Sequence, residues 1–247
     1  MGEVKIGHDV TGGSGTLSAL IQANSGNLAG VKVGGSLIGR AGGNSARIIS
    51  GTAMGPVVIG QDVVGGTADV CGLITSGGAL ASVTIGGSLI GGSGNTTGQI
   101  ASGPDMGAIR IGHDLRGASI SGTEADLHKS GSIRSGGDIA SVYIGGSIIS
   151  RTDTSTAGSL MDDAWIRAEG HIGSLTVRGS LVGNNNPDAG SPVVITARAL
   201  TLPRATADLA IGRVMIGGLV ENAHAGADND VIELATTTGD VTVREAT

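Results

Sequence analysis

The stretch VKVGGSLIG, from Val31 to Gly39, decides how the rest of the chain is read. It returns as VKIGHDVTG from Val4, VVIGQDVVG from Val57, VTIGGSLIG from Val83 and IRIGHDLRG from Ile109. VYIGGSIIS from Val142, LTVRGSLVG from Leu175, a shortened VMIGGLV from Val214 and a bare VTV from Val241 continue the series. Successive starts lie 27, 26, 26, 26, 33, 33, 39 and 27 residues apart. A period in this range marks one supersecondary unit stacked on itself. Residues 1–247 therefore read as one elongated domain, a segment of a longer repeat protein.

Working outward, each repeat start aligns further columns. Nine residues before it stand Gln22, Ile48, Ile74, Ile100, Ile133 and Ile166; three before it stand Leu28, Met54, Leu80, Met106, Ile139 and Ile172. Val10, Leu37, Val63, Leu89, Leu115, Ile148 and Leu181 form the last apolar column. Apolar residues within each run are two apart, the alternation of strands with one buried face. Three short strands per period, separated by Gly-rich corners, predict an all-β fold. The expected architecture is a right-handed parallel β-helix of about eight coils, since a coil this long suits that hand. Gly34, Gly60, Gly86, Gly112 and Gly145 close one corner, where either a positive φ or a missing Cβ is needed. Asn24, Ser50, Ser76, Ser102, Ser135 and Ala168 predict an inward polar row that bonds to turn backbone.

Composition agrees and excludes much else. The 47 glycines have no every-third-residue period, so collagen is out, and 39% hydrophobic content is too high for a disordered linker. With no Phe, one Tyr and one Trp, the core must be a narrow stack of aliphatic side chains. A net charge of −6 and no dense basic cluster argue against nucleic acid, which wants a basic stripe and stacking aromatics. No apolar run is long enough to span a membrane, and no signal peptide precedes Val4. The lone Cys71 cannot make an internal disulfide and reads as an inert thiol.

Two sets of residues could carry chemistry. At the sixth position of the repeat stand Asp9, Ser36, Asp62, Ser88, Asp114, Ser147 and Ser180; the fifth reads His8, Gly35, Gln61, Gly87, His113, Gly146 and Gly179. Aspartates two coils apart are about 9.6 Å from each other, too far to share a cation. Their alternation with Ser is expected to avoid a stack of like charges. After Gly117 the connections lengthen at 118–131, 151–164, 184–191 and 221–230, with a further irregular piece at 201–209. They carry Glu124, Asp126, His128, Asp153, Asp162, Asp163, Asp188, Glu221, Asp228 and Asp230. These read first as solvated acidic loops, second as a calcium site, third as a paired-carboxylate glycosidase around Asp162 and Asp163. Arg134 and Arg167 share an outward column near Asp138 and Glu169, as for surface ion pairing. Tyr143 and Trp165 have outward parity, with a long loop expected over Trp165.

The tandem IGGSL and IGHDL stretches, with run-ins such as ITSGGALASVTIGGSLIGG from Ile74, resemble the β-strand-repeat regions of large bacterial surface and secreted proteins, filamentous-haemagglutinin and adhesin stalks among them. The resemblance implies an extracellular, non-catalytic stalk or fibre segment without catalytic residues or a bound cofactor. The alternative is a carbohydrate-binding or carbohydrate-cleaving β-helix with its site under the C-terminal loops. A third reading is a filament subunit whose partners are neighbouring coils or further copies joined end to end. The expected joining surfaces are the apolar first coil, Val4 and Ile6, and the last, Val241 and Val243.

Overall fold

The computed structural model describes residues 1–122, 126–155, 158, 160–184, 193–198, 210–227, 230–233 and 239–243. The repeat folds into three long sheets visited in turn, first, second, third, then first again. The first sheet runs from Glu3–Ile6 and Gly30–Val33 to Ile211–Ile216; the second from Val10–Thr11 to Val220–Glu221; the third from Leu20–Ala23 to Ala223–Ala227. Equivalent strands pair in parallel and in register, Val31 with Val57, Val57 with Val83, Val83 with Ile109. The second sheet has eight strands, one for each coil of the β-solenoid. Like residues thus stack along the axis at about 4.8 Å per coil.

This alternation supplies the core directly. Val33, Ile59, Ile85, Ile111 and Ile144 are fully buried from the first sheet, Leu37, Val63, Leu89 and Ile148 from the second, Ile48, Ile74, Ile100 and Ile133 from the third. Leu28, Met54, Leu80 and Met106 close the space between the third and first sheets. The glycines after the first-sheet strands are there for close approach. A Cβ on Gly34, Gly60, Gly86, Gly112 or Gly145 would overlap the carbonyl of its equivalent one coil back, and none has a positive φ.

The alignment needs correction at both ends. Ile21, not Gln22, pairs with Ile48, and Ala23, not Asn24, with Ser50. The extra residue of the first 27-residue period lies in the corner after Ala23, so Gln22 and Asn24 are exposed. The VTV at Val241 is not another parallel coil. Gly239–Val243 lies antiparallel to Ile211–Ile216, and Asp230–Glu233 antiparallel to Ala223–Ala227. The chain has turned back on itself there, a reversal that a three-residue apolar match cannot encode.

The two 33-residue periods carry more than loops. Ile120–Gly122 pairs in parallel with Asp153–Ser155, and Leu127–His128 with Leu160–Met161. Ala118, Ile120, Leu127 and Leu160 bury against one another as a second small core. The equal 33-residue spacing puts the two insertions in register, so they stack into a fin as the main coils do. The reading as solvated acidic loops holds for Asp126 and Asp162, which are exposed, and is corrected for Asp153 and Asp163, which are buried.

Candidate functional site

At each corner of the solenoid a side chain of one coil caps the backbone of the next. Asp9, Asp62 and Asp114 each accept, through Oδ1, the N–H of Ser36, Ser88 and Ser147, all at 2.7 Å. The serine hydroxyls then accept the following N–H: Ser36 from Asp62 and Ser88 from Asp114 at 3.2 Å, Ser147 from Ser180 at 3.0 Å. Asp105 accepts the Asp138 N–H and Asp138 the His171 N–H at a second corner; Asp69 accepts the Asn95 N–H at the third. Asp105 and Asp138 occupy adjacent coils, so the second corner holds carboxylates in successive coils without an intervening serine. At the first corner the carboxylates also constrain the residue they reach over. A Cβ on Gly35, Gly87 or Gly146 would overlap the carboxylate reaching over from Asp9, Asp62 or Asp114. An aspartate in one coil therefore requires Gly at the fifth position of the next; after a serine coil the position holds Gln61 or His113, and also Gly179 or Gly218. For Asp114, partial burial raises the pKa, but the Ser147 N–H and the Arg116 guanidinium together hold it below the usual carboxylate range.

The corner entering the third sheet holds a second interior row: Ser45, Cys71, Thr97, Ser130 and Asp163, all buried. Each lies between two left-handed residues, for example Val70 (φ 64°) and Gly72 (φ 66°) around Cys71, or Asp162 (φ 59°) and Ala164 (φ 51°) around Asp163. The first of each pair is never Gly in the described residues, while the second is Gly in three successive coils, Gly72, Gly98 and Gly131. Cys71 sits 3.4 Å from the Ser45 hydroxyl and 3.2 Å from the Gly42 carbonyl. Asp163 puts a carboxylate where the other coils have a hydroxyl or thiol. It accepts the Ala118 N–H at 2.8 Å, the Ser150 hydroxyl at 2.9 Å and the Arg151 N–H at 3.4 Å. Burial pushes its pKa up to about 7 against the pull of those donors. The inward row Ser50, Ser76, Ser102 and Ser135 bonds as expected, for instance Ser50 to the Ala53 carbonyl at 2.9 Å and Ser135 to the Asp138 carbonyl at 3.0 Å.

The fate of the acidic candidates follows. Asp163 is tied into the corner at the base of the fin, Asp162 beside it is exposed, and Glu221 stands exposed on the second sheet. Among the described residues, no three His, Cys, Asp or Glu side chains converge as a metal site would need. Glu124, Asp188, Asp228 and the 201–209 piece lie outside the described residues.

The outer face of the third sheet holds the candidate site. Register stacks Thr75, Ala101 and Arg134 in one row and Gln99 beside Ser132 in the next. Thr75, Thr96, Gln99, Ala101, Lys129 and Arg134 line a cleft of about 400 Å³. The Gln99 amide N–H donates to the Ser132 hydroxyl at 2.9 Å, fixing the floor. One coil on, Glu169 is shared by three guanidiniums: Arg198 at 2.8 Å, Arg167 at 3.0 Å and Arg134 at 3.8 Å. Arg167 also lies 5.2 Å over the Trp165 ring, which is 8% exposed. Asp138, the other expected partner of the arginines, faces His171 instead. Tyr143 on the first sheet is covered by Arg110 at 4.2 Å.

The face is positive in a chain of net charge −6. Sequence reasoning found Arg134 and Arg167 but missed the cleft. The signal was available: Thr75, Ala101 and Arg134, like Thr96 and Lys129, are separated by whole periods. Comparison of the chain with family models, with curated proteins and with solved structures finds no match.

Proposed function

We propose that the chain is a structural, non-catalytic β-solenoid segment, a rigid stalk or fibre element of a bacterial surface or secreted protein. What supports this is the stacking of three sheets through eight coils, with an aliphatic interior and side chains of one coil capping the backbone of the next at each kind of corner. Such a body resists bending because each coil is bonded to the next along its perimeter, and its length is set by coil number alone. Its natural partners are further coils of the same kind, in the parent chain or another copy, against the first coil. There Val4 and Ile6 are only half buried and the strand Glu3–Ile6 is paired on one side. The antiparallel strands at the far end present a different surface, so association through this end joins like to like. Antibodies against the folded chain, applied to intact and to permeabilised source cells, test the placement: labelling of intact cells supports it, and labelling only after permeabilisation contradicts it.

A further inference from the structure

We propose that the cleft on the outer face of the third sheet binds a carboxylate-bearing saccharide, with Lys129 and Arg134 taking the carboxylate and Thr75, Thr96 and Gln99 the sugar hydroxyls. Four observations carry this. The cleft, about 400 Å³, is of a size for one or two sugar rings rather than an extended polymer. Its walls hold two cations and no carboxylate, and Lys129 has no ion pair among the described residues. Arg134 has only a long 3.8 Å approach to Glu169, which is already engaged by Arg167 and Arg198 at 3.0 and 2.8 Å. The floor is polar and set in place, since Gln99 is 7% exposed and anchored on Ser132. Two cations with no aromatic side chain among the lining residues do not make a track for a polynucleotide, whose binding needs a run of phosphate contacts and stacked bases.

Calorimetric titration of the full chain with digalacturonate, with its neutral counterpart galactobiose, with inorganic sulfate and with an oligonucleotide tests this. Saturable binding of digalacturonate, tighter than that of the other three, is expected. Lys129→Gln and Arg134→Gln should each weaken it about tenfold or more, the worth of one charge-assisted hydrogen bond. Ala101→Leu, which fills the floor and leaves every charge in place, should abolish it. Unchanged melting temperatures would show that all three variants fold; where one does not, the remaining two decide. No binding of digalacturonate, equal binding of sulfate or galactobiose, tighter binding of the oligonucleotide, or undiminished binding by the folded variants overturns the proposal. None of these outcomes bears on the stalk reading, which needs no ligand.

Discussion

Asp62 reaches over the next coil so that its carboxylate stands where a Cβ on Gly87 would be, and there accepts the Ser88 N–H at 2.7 Å. The residue pair is therefore coupled across the coil boundary, inside a double unit of 52 residues in which an Asp coil is followed by a Ser coil. Gly87→Ala should cost about 2 kcal/mol or more, because the carboxylate must leave its backbone donor. In an Asp62→Ser background the same change should cost less than half as much, as Gln61 is tolerated after Ser36. Equal costs in a double-mutant cycle by chemical denaturation would show that the two residues act independently.

The interior itself distinguishes adjacent residues of one strand. Ile85 is fully buried and Thr84 faces out. Ile85→Asp should prevent folding, since an unpaired charge inside an aliphatic stack has no partner. Thr84→Asp should change stability by less than about 1 kcal/mol. Circular dichroism of the two variants checks this; similar damage from both would contradict the inward–outward assignment.

Val70 holds a φ of 64°, a region that β-branched residues avoid. Asn44, its equivalent one coil earlier, adopts 58° with a side chain that tolerates it. Val70→Asn should stabilise the chain by about 1 kcal/mol. Denaturant midpoints measure the change, and a loss of stability would mean that Val70 packing outweighs its strain.

Asp163 ties stability to pH in the direction opposite to most carboxylates. Its folded pKa of about 7 lies above the unfolded value of about 3.9. The folded state thus binds the proton more tightly, a contribution fully present below about pH 4 and lost as pH rises through 7. Relative to Asp163→Ser, the residue found at Ser45 and Ser130 of the same row, the wild-type chain should lose up to about 4 kcal/mol across that window. Thermal melts of both proteins from pH 4 to 8 follow it. A flat difference would mean that the three donors to Asp163 balance its burial.

The fin is dispensable only as a pair. Trimming both 118–129 and 151–162 by the seven-residue excess of a 33- over a 26-residue period should leave the eight coils folded. Trimming one alone leaves the strands of the other without partners and its apolar residues uncovered, and should lower the melting temperature further. The reverse ranking would show that the insertions fold independently.

How much of this was legible follows from what a period encodes. Strand number, inward columns and the Ser50–Ser135 row repeat with the chain, so aligning Val31 with Val57 and Val83 revealed them. Gln22 was misplaced because a 27-residue period does not say where its extra residue goes; Ile21 pairs with Ile48 since only that leaves the apolar side chain inside. The left-handed pairs of that corner were hidden because Leu17, Val70 and Lys129 carry no turn signature and Gly72, Gly98 and Gly131 are lost among 47 glycines. The cleft was missed for another reason: its residues come from three coils and are unremarkable in each, and only their whole-period spacing places them together.

The central claim is that coils are interchangeable, in-register units whose number sets the length of a rod. Deleting residues 57–108, one double unit, joins Pro56 to Ile109 and preserves every column and the Asp–Ser order. Small-angle X-ray scattering of the shortened chain measures the outcome. The maximum dimension should fall by about 9.6 Å, two strand spacings, with the cross-sectional radius unchanged. An unfolded product, or a particle whose cross-section changes with its length, would contradict the account.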